Sequence, residues 1–366
     1  MQKVIYESGM EVCMKKYMQE IDKEIEKQID KEIDKQIEKQ IDKQIEKQID
    51  NQEEIQEEMQ ENIQEKMQRE IQRKKKETDT VILAHYYTDG QVQDVADYVG
   101  NSYYLSEIAT KVSQQNILFC GVTFMGESAK ILNEKKKVLM PDLYADCPMA
   151  HMADIDRIDE VRQQYKDVAV VCYINSTTEI KAASDVCVTS SNAVKIVKAL
   201  KEPHIYFIPD ENLGRYVASQ VPEKEFIFND GFCHVHTSIE KEALLKAKEL
   251  HKEALILAHP ECKKEILDMA DYIGSTSGIL AFAAKSKEKE YIICTEMGIL
   301  HELEKQNTGK KFYFVGHRQF CPNMKRITLE KVLEQLELQN NEIQVEEKSA
   351  KEARNALEKM LFLAKE

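Results

Sequence analysis

The chain has 366 residues, 42% of them apolar, and 65 acidic against 51 basic side chains give it a formal charge of −14. That balance excludes the basic stripe a nucleic-acid-binding surface needs, and no apolar run approaches the ~20 residues that span a bilayer. The N-terminus has no signal-peptide core, so the chain reads as a soluble, cytoplasmic protein of two or three domains.

The first element is a helical, low-complexity extension over 1–76. Ile21, Ile25, Ile29, Ile33, Ile37, Ile41, Ile45 and Ile49 recur every four residues, and Ile55, Met59, Ile63, Met67 and Ile71 continue the step. Gly and Pro are absent from 19–72, which favours helix. A period of 4 overshoots the 3.6-residue turn, so the apolar stripe winds around the helix and does not form a regular two-stranded seam. The reading is a solvated extension whose last turns, about 55–76, pack on the first domain.

From residue 77 the chain repeats a strand-led unit three times, and repeats of this length decide the fold. The copies begin at 81–102 (VILAHYYTDGQVQDVADYVGNS), 169–192 (AVVCYINSTTEIKAASDVCVTSSN) and 255–278 (LILAHPECKKEILDMADYIGSTSG). Each is an apolar strand, a polar turn, a short helix and a loop rich in Ser, Thr, Gly or Asn. His85, Tyr173 and His259 stand just past the strands, 88 and 86 residues apart (173−85 and 259−173). Asp97, Asp185 and Asp271 each follow twelve residues after the anchor (97−85, 185−173, 271−259). A second strand leads to Gly126, Gly214 and Gly298, and a third to Cys147, Cys233 and Cys321.

This pattern predicts an α/β protein of three similar three-layer α/β domains around a pseudo-threefold axis, at 77–162, 163–250 and 251–340. A C-terminal helix over 341–366, apolar at Ala350, Ala353, Leu357, Met360, Leu361 and Ala364, docks on the body. Ligands in open α/β sheets sit beyond the carboxyl ends of strands. The anchors and the three cysteines all fall at such ends, so packing the copies together brings them to one central cleft.

Nine scattered cysteines (13, 120, 147, 172, 187, 233, 262, 294, 321) do not read as a disulfide scaffold. A lone free cysteine is ordinarily a small buried hydrophobe, and Cys120, Cys172, Cys187 and Cys294 read as core. Cys262, beside Glu261, fits either reading. Three cysteines at one repeat position are a different observation. Cys147, Cys233 and Cys321, in turns after strands, suit an open-site zinc or an iron–sulfur cluster. Around them His85, Tyr87, Tyr173, Asn175, His259 and Glu261 offer imidazole, phenol and carboxylate groups for acid–base work on an oxygenated substrate. The loops with Ser102, Ser190 and Thr276 either cap helices or bind carboxylate or phosphate through hydroxyl and N–H groups.

The segments ILAHYY, VQDVADYVGNS, GVTFMGESAKIL, CYINSTTEIKAASDVCVTSSNA, PDENLGRYVA, GFCHVH, HPEC, ADYIGSTSG and CPNMKRITL run from about 82 to 329. In order and spacing they resemble the quinolinate synthase family, and the tetrads lie outside the resemblance. The resemblance implies a [4Fe–4S] cluster on Cys147, Cys233 and Cys321 with one iron not ligated by protein. It implies a transferase that condenses iminoaspartate with dihydroxyacetone phosphate to quinolinate in de novo NAD biosynthesis, with the iminoaspartate supplied by an aspartate-oxidising enzyme. His85, Ser102, Tyr173, Asn175, Ser190, His236, His259, Glu261 and Thr276 would line the substrate site. Glu261, Tyr87 and His259 would be catalytic, Glu261 as main base and Tyr87 as acid or proton relay. Asn101 stands where the family commonly has Asp, and MGES, with Glu127, replaces the commoner MAET. Two other readings fit the residues: a cluster-bearing hydro-lyase on a different hydroxy acid, or an iron or redox sensor whose long helix meets a partner.

Overall fold

The computed structural model describes residues 63–365, with Met18, Lys23, Glu24, Lys27, Lys31, Lys35, Lys39 and Lys43 as isolated positions before them. The tetrad helix expected over 19–72 therefore lies largely outside the described residues; the described stretch 63–77 is helical. The chain forms two compact units, Met1–Lys66 and Met67–Glu366, and among the described residues the second carries all the strands. In that unit the helix is tied down at its end. Ile71 is fully buried and Met67 packs beside it in the core, Gln72 Nε2 donates to the Val95 carbonyl at 3.3 Å, and Lys75 pairs with Asp97 at 2.8 Å.

The twelve strands are β1 (Thr80–His85), β2 (Tyr98–Gly100), β3 (Asn116–Cys120), β4 (Lys137–Leu139), β5 (Val168–Tyr173), β6 (Val186–Val188), β7 (His204–Ile208), β8 (Glu225–Phe228), β9 (Leu255–Ala258), β10 (Tyr272–Ile273), β11 (Glu290–Cys294) and β12 (Lys311–Phe314). They form three four-stranded sheets, ordered β2-β1-β3-β4, β6-β5-β7-β8 and β10-β9-β11-β12. Every pairing is parallel. Three sheets of one order, each with its anchor residue at the end of its second-placed strand, are the α/β architecture the repeats require.

Parallel strands are buried on both faces, and the third sheet shows why. Ile256, Ala258, Ile292 and Cys294 belong to one apolar cluster, and the alternating Leu257, Tyr291 and Ile293 to another. Successive side chains point to opposite faces, so a continuous apolar run supplies both layers. The last helix, Glu347–Leu363, buries Ala350, Ala353, Ala356, Leu357 and Met360 against β6 and the helices Thr123–Leu132, Thr178–Ala182 and Ala193–Ala199. Among the described residues no helix is long and apolar enough to cross a membrane.

The edge strands β2, β6 and β10 are an addition to the sequence reading, which passed from short helix straight to polar loop. Two or three residues carry no measurable period. Their partner is the repeated aspartate. Asp97 Oδ2 accepts from Ile82 N at 2.9 Å, Asp185 Oδ2 from Val170 N at 2.7 Å, and Asp271 Oδ2 from Ile256 N at 2.8 Å. Each aspartate N–H donates back to the carbonyl of the same strand residue, at 2.9, 3.0 and 2.9 Å. This two-pronged clip sets the register in which the edge strand joins, and with it where the Ser/Thr loop emerges.

Asp271 carries the clip without a salt bridge of its own among the described residues. Asp271→Ala leaves the part-buried Ile256 N–H unpaired and is expected to cost about 1–3 kcal/mol, read as a lowered denaturation midpoint with the secondary-structure content unchanged.

Candidate functional site

Because all strands of a sheet run the same way, the three sheets present their carboxyl ends to one cavity. His85 and Tyr173 are the last residues of β1 and β5, and His259 follows β9. The cavity is lined by residues from all three sheets, among them all three candidate cysteines. With its mouth it encloses about 760 Å³, within the ~300–1,000 Å³ typical of small-molecule sites. Every site residue expected from the sequence (His85, Tyr87, Ser102, Cys147, Tyr173, Asn175, Ser190, Cys233, His236, His259, Glu261, Thr276 and Cys321) is on its wall. None is left elsewhere in the fold.

Glu261 is the centre of the polar network and is almost wholly buried. Its Oε1 accepts from the Tyr173 hydroxyl. Its Oε2 lies 2.7 Å from His236 Nδ1 and 3.9 Å from His259 Nδ1. His236 Nδ1 is also 3.2 Å from Cys233 Sγ; the carboxylate, nearer and charged, is the stronger acceptor. Burial alone would raise the Glu261 carboxyl, but the His236 and His259 imidazoles and the Tyr173 hydroxyl outweigh it and hold the group below the ordinary carboxylate range. Glu261 is therefore ionised.

A chain of contacts leads away from it. His236 Nε2 meets Thr295 Oγ1 at 3.0 Å, Thr295 Oγ1 meets the Tyr87 hydroxyl at 3.0 Å, and Tyr87 meets Thr276 Oγ1 at 2.9 Å. The His236 and His259 rings stack at 4.5 Å, and His259 Nε2 contacts Ser190 Oγ at 3.1 Å. Burial pushes the His85 and His259 imidazoles down to about 3, so both are neutral near pH 7. Burial, then the Glu261 charge, pushes the Tyr87 and Tyr173 phenols well up. These are proton-holding groups grouped around one ionised carboxylate.

The loops cap helices and also present hydroxyls to the cavity. Asn101 Oδ1 accepts from Tyr104 N at 2.9 Å and Ser275 Oγ from Gly278 N at 3.2 Å, capping two helices. The residue after each cap, Ser102 and Thr276, faces the cavity. Asn101 also donates through Nδ2 to Ser277 Oγ at 2.8 Å, a bond that a carboxylate at 101 could not donate. Glu127 lies away from this cavity and accepts from Thr178 Oγ1 at 3.0 Å. Buried Asn175 Oδ1 has no partner among the described residues, and a buried orphan acceptor on a cavity wall is a place for a ligand's donor.

Cys147, Cys233 and Cys321 are free thiols, half-buried. Burial pushes the Cys147 thiol to about 12, with the Cys321 sulfur as the next cause. Burial likewise raises Cys233, where Glu261 and Cys147 add to it, and raises Cys321. Thiols buried this way, with Cys147 disfavoured by Cys321 and Cys233 by Cys147, become thiolates when a positive charge stands beside them. That donor set fits a metal centre with three thiolate ligands. Cys120, Cys172, Cys187 and Cys294 are core, as read, and Cys262 joins them, fully buried with Sγ donating to the Cys294 carbonyl at 3.3 Å. One combination unforeseen from sequence is Cys233, His236 and Glu261, whose ligand atoms lie within 4.8 Å of one another.

The sequence also left out Thr295, Asp210 and Glu296, all fully buried. Asp210 Oδ2 accepts from Cys233 N at 3.1 Å and Glu296 Oε1 from Cys321 N at 3.0 Å. Burial lifts both carboxyls, Glu296 to about 7. Their repeat position, after the second strand of each copy, was the available signal.

The family model described as Quinolinate synthetase A protein matches residues 69–362. The chain is 53% identical over 290 residues to a quinolinate synthase of Fusobacterium nucleatum subsp. nucleatum, covering 79% of this chain and 97% of that protein. It is 50% identical over 290 residues to quinolinate synthases of Clostridioides difficile and Caldicellulosiruptor saccharolyticus, again over 79% of this chain and over 95% and 96% of theirs.

The neutral histidines set a pH dependence. An unfolded histidine takes up a proton near pH 6.5, whereas folded His85 resists protonation down to about 3. Its contribution to stability is thus present above pH 6.5 and lost as pH falls toward 3. His85→Gln is expected to flatten the fall in metal-free stability between pH 6 and 4 by up to about 1.4 kcal/mol per pH unit, read from urea denaturation at each pH.

Proposed function

The chain belongs to the quinolinate synthetase A family, and from that premise we propose that it condenses iminoaspartate with dihydroxyacetone phosphate to quinolinate. Phosphate and water are lost, and the product feeds de novo NAD biosynthesis. The observation that carries this reading is the convergence of three cysteines with His85, Tyr87, Tyr173, His236, His259 and Glu261 on one cavity. A sensor would need the cysteines alone; the acid–base groups favour an enzyme. An iron–sulfur hydro-lyase on another hydroxy acid shares the chemistry but would release no phosphate.

Cys147, Cys233 and Cys321 would hold a [4Fe–4S] cluster. When bound, it supplies a Lewis acid at the iron without a protein ligand, which eases loss of a hydroxyl. The remaining work belongs to side chains. Neutral His85 and His259, with Ser102, Ser190 and Thr276, offer hydrogen bonds to substrate carboxylate and phosphate oxygens, and Asn175 Oδ1 awaits a donor such as an imine or amine N–H. Glu261 is the main base. It is ionised and accepts from His236 Nδ1–H at 2.7 Å, and the other ring nitrogen of His236 connects through Thr295 to Tyr87. Tyr87, its phenol protonated, stands at the far end as the acid.

The aspartate-derived imine is unstable in water, so an aspartate-oxidising enzyme is the class of supplier. Burial of the innermost groups fits that demand, since His85, His236, His259, Glu261 and Thr276 are withdrawn from solvent.

Anaerobically purified protein is expected to hold about four iron and four acid-labile sulfide per chain and to form quinolinate; zinc, or no metal, would overturn the reading. Cys233→Ser is expected to lose both cluster and activity. Glu261→Gln keeps the cluster and loses about 10²–10⁴-fold in turnover. Thr295→Val cuts turnover about tenfold or more by breaking the contact chain, while Thr295→Ser restores it. Because the family match begins at residue 69, removal of residues 1–62 is expected to leave turnover unchanged, measured on the same loaded preparation.

A further inference from the structure

The three cysteine turns share one backbone frame. Thr123 N donates to the Ala145 carbonyl at 2.8 Å, Glu211 N to Gly231 at 2.8 Å, and Met297 N to Gln319 at 2.7 Å. Each acceptor stands two residues before a cysteine. Each donor is preceded by one residue whose side chain faces that cysteine turn, and here the symmetry breaks: Val122, Asp210 and Glu296.

In the second and third copies a fully buried carboxylate uses both oxygens on backbone N–H groups. Asp210 Oδ2 accepts from Cys233 N at 3.1 Å and Oδ1 from Leu213 N at 2.7 Å, so the turn is tied to the start of the helix Glu211–Gln220. Glu296 Oε1 accepts from Cys321 N at 3.0 Å and Oε2 from Gly298 N at 2.6 Å. In the first copy Val122 has no acceptor to give. Cys147 N donates instead to Asp146 Oδ1 at 2.7 Å, and the Asp146 side chain is 46% exposed and shared with His151. A solvated carboxylate can exchange that bond for water at little cost; a buried one cannot.

We infer that Asp210 and Glu296 are positioning residues that fix the Cys233 and Cys321 turns for the metal centre, and that the Cys147 turn, lacking such a clamp, is the one released first. The inference rests on the cluster reading above. An amide at either position keeps one acceptor oxygen and must turn its NH₂ toward the second backbone donor, so Asp210→Asn and Glu296→Gln each break one tie without changing shape.

The test is thiol labelling during cluster loss. Loaded, anaerobic protein is treated with an iron chelator and sampled into an alkylating reagent, with peptide mass spectrometry giving the order in which the three cysteines become free. In the unsubstituted protein Cys147 is expected first. Asp210→Asn is expected to speed cluster loss about tenfold, one buried hydrogen bond, and to bring Cys233 forward in the order; Glu296→Gln does the same for Cys321. Asp271→Ala, which weakens the fold away from the turns, should lower the melting temperature and leave the order alone. Loaded protein in which Cys147 is not first, or variants with unchanged rate and order, would overturn this inference and leave the functional reading standing. Unsubstituted protein without iron and sulfide would overturn both. The order in the unsubstituted protein needs no variant, and the two substitutions probe separate arms, so failure of one to load leaves the test decisive.

Discussion

Parallel pairing is the constraint on which the rest depends. A parallel sheet sends all its strand ends to one edge, and three sheets of the same order give three such edges. The turn after each strand is thereby brought to the same place. The repeated aspartates keep this exact at the level of a single residue: by taking the strand N–H and returning their own N–H to its carbonyl, they set where each edge strand starts. One residue of slip would reverse every side chain of that strand. The cavity wall is thus a consequence of register, and register of three aspartate side chains placed twelve residues after the anchors.

The second level is electrostatic. Withdrawing so many polar groups from water is unfavourable unless each finds a partner. Glu261 shows the solution, with Tyr173 on one oxygen and imidazoles around the other. The same burial that keeps His85 and His259 neutral keeps Glu261 the dominant charge near them. The three thiols face the opposite situation. The side chains on the cavity wall offer no cation other than histidine to balance them, an environment that fits a metal centre.

Much of this was legible in the sequence because repetition converts weak single-residue signals into positions. A lone cysteine or histidine says little; three at one place in three copies mark strand ends, and parallel topology then brings the strand ends together. The losses have a physical cause as well. The strands β2, β6 and β10 are two or three residues long, too short for a period, and exist because an aspartate side chain holds them. Thr295 acts by touching Tyr87, 208 residues away in sequence, and His236, 59 away, and no local pattern announces such a contact. Asp210 and Glu296 were within reach of the repeat alignment, each two residues past its strand, but the alignment was anchored on Gly214 and Gly298. The tetrads gave a clear helical period, and the described stretch 63–77 follows it.

The departures from symmetry are where the chemistry resides. Where the fold alone is served, the copies agree: the aspartate clip is the same residue three times, and the backbone tie before each cysteine is the same bond. Where a ligand must be met, they differ. The anchors are His, Tyr and His, and Glu261 in the third copy has Asn175 and Tyr87 as its counterparts in the other two. A threefold scaffold with three identical walls would hold an asymmetric ligand in three equivalent orientations. The residues offered at the cavity are an acceptor without a partner, an ionised carboxylate and a protonated phenol, one from each copy. Such a set can hold an asymmetric molecule in one orientation, with a different proton-bearing or proton-accepting group toward each side of it.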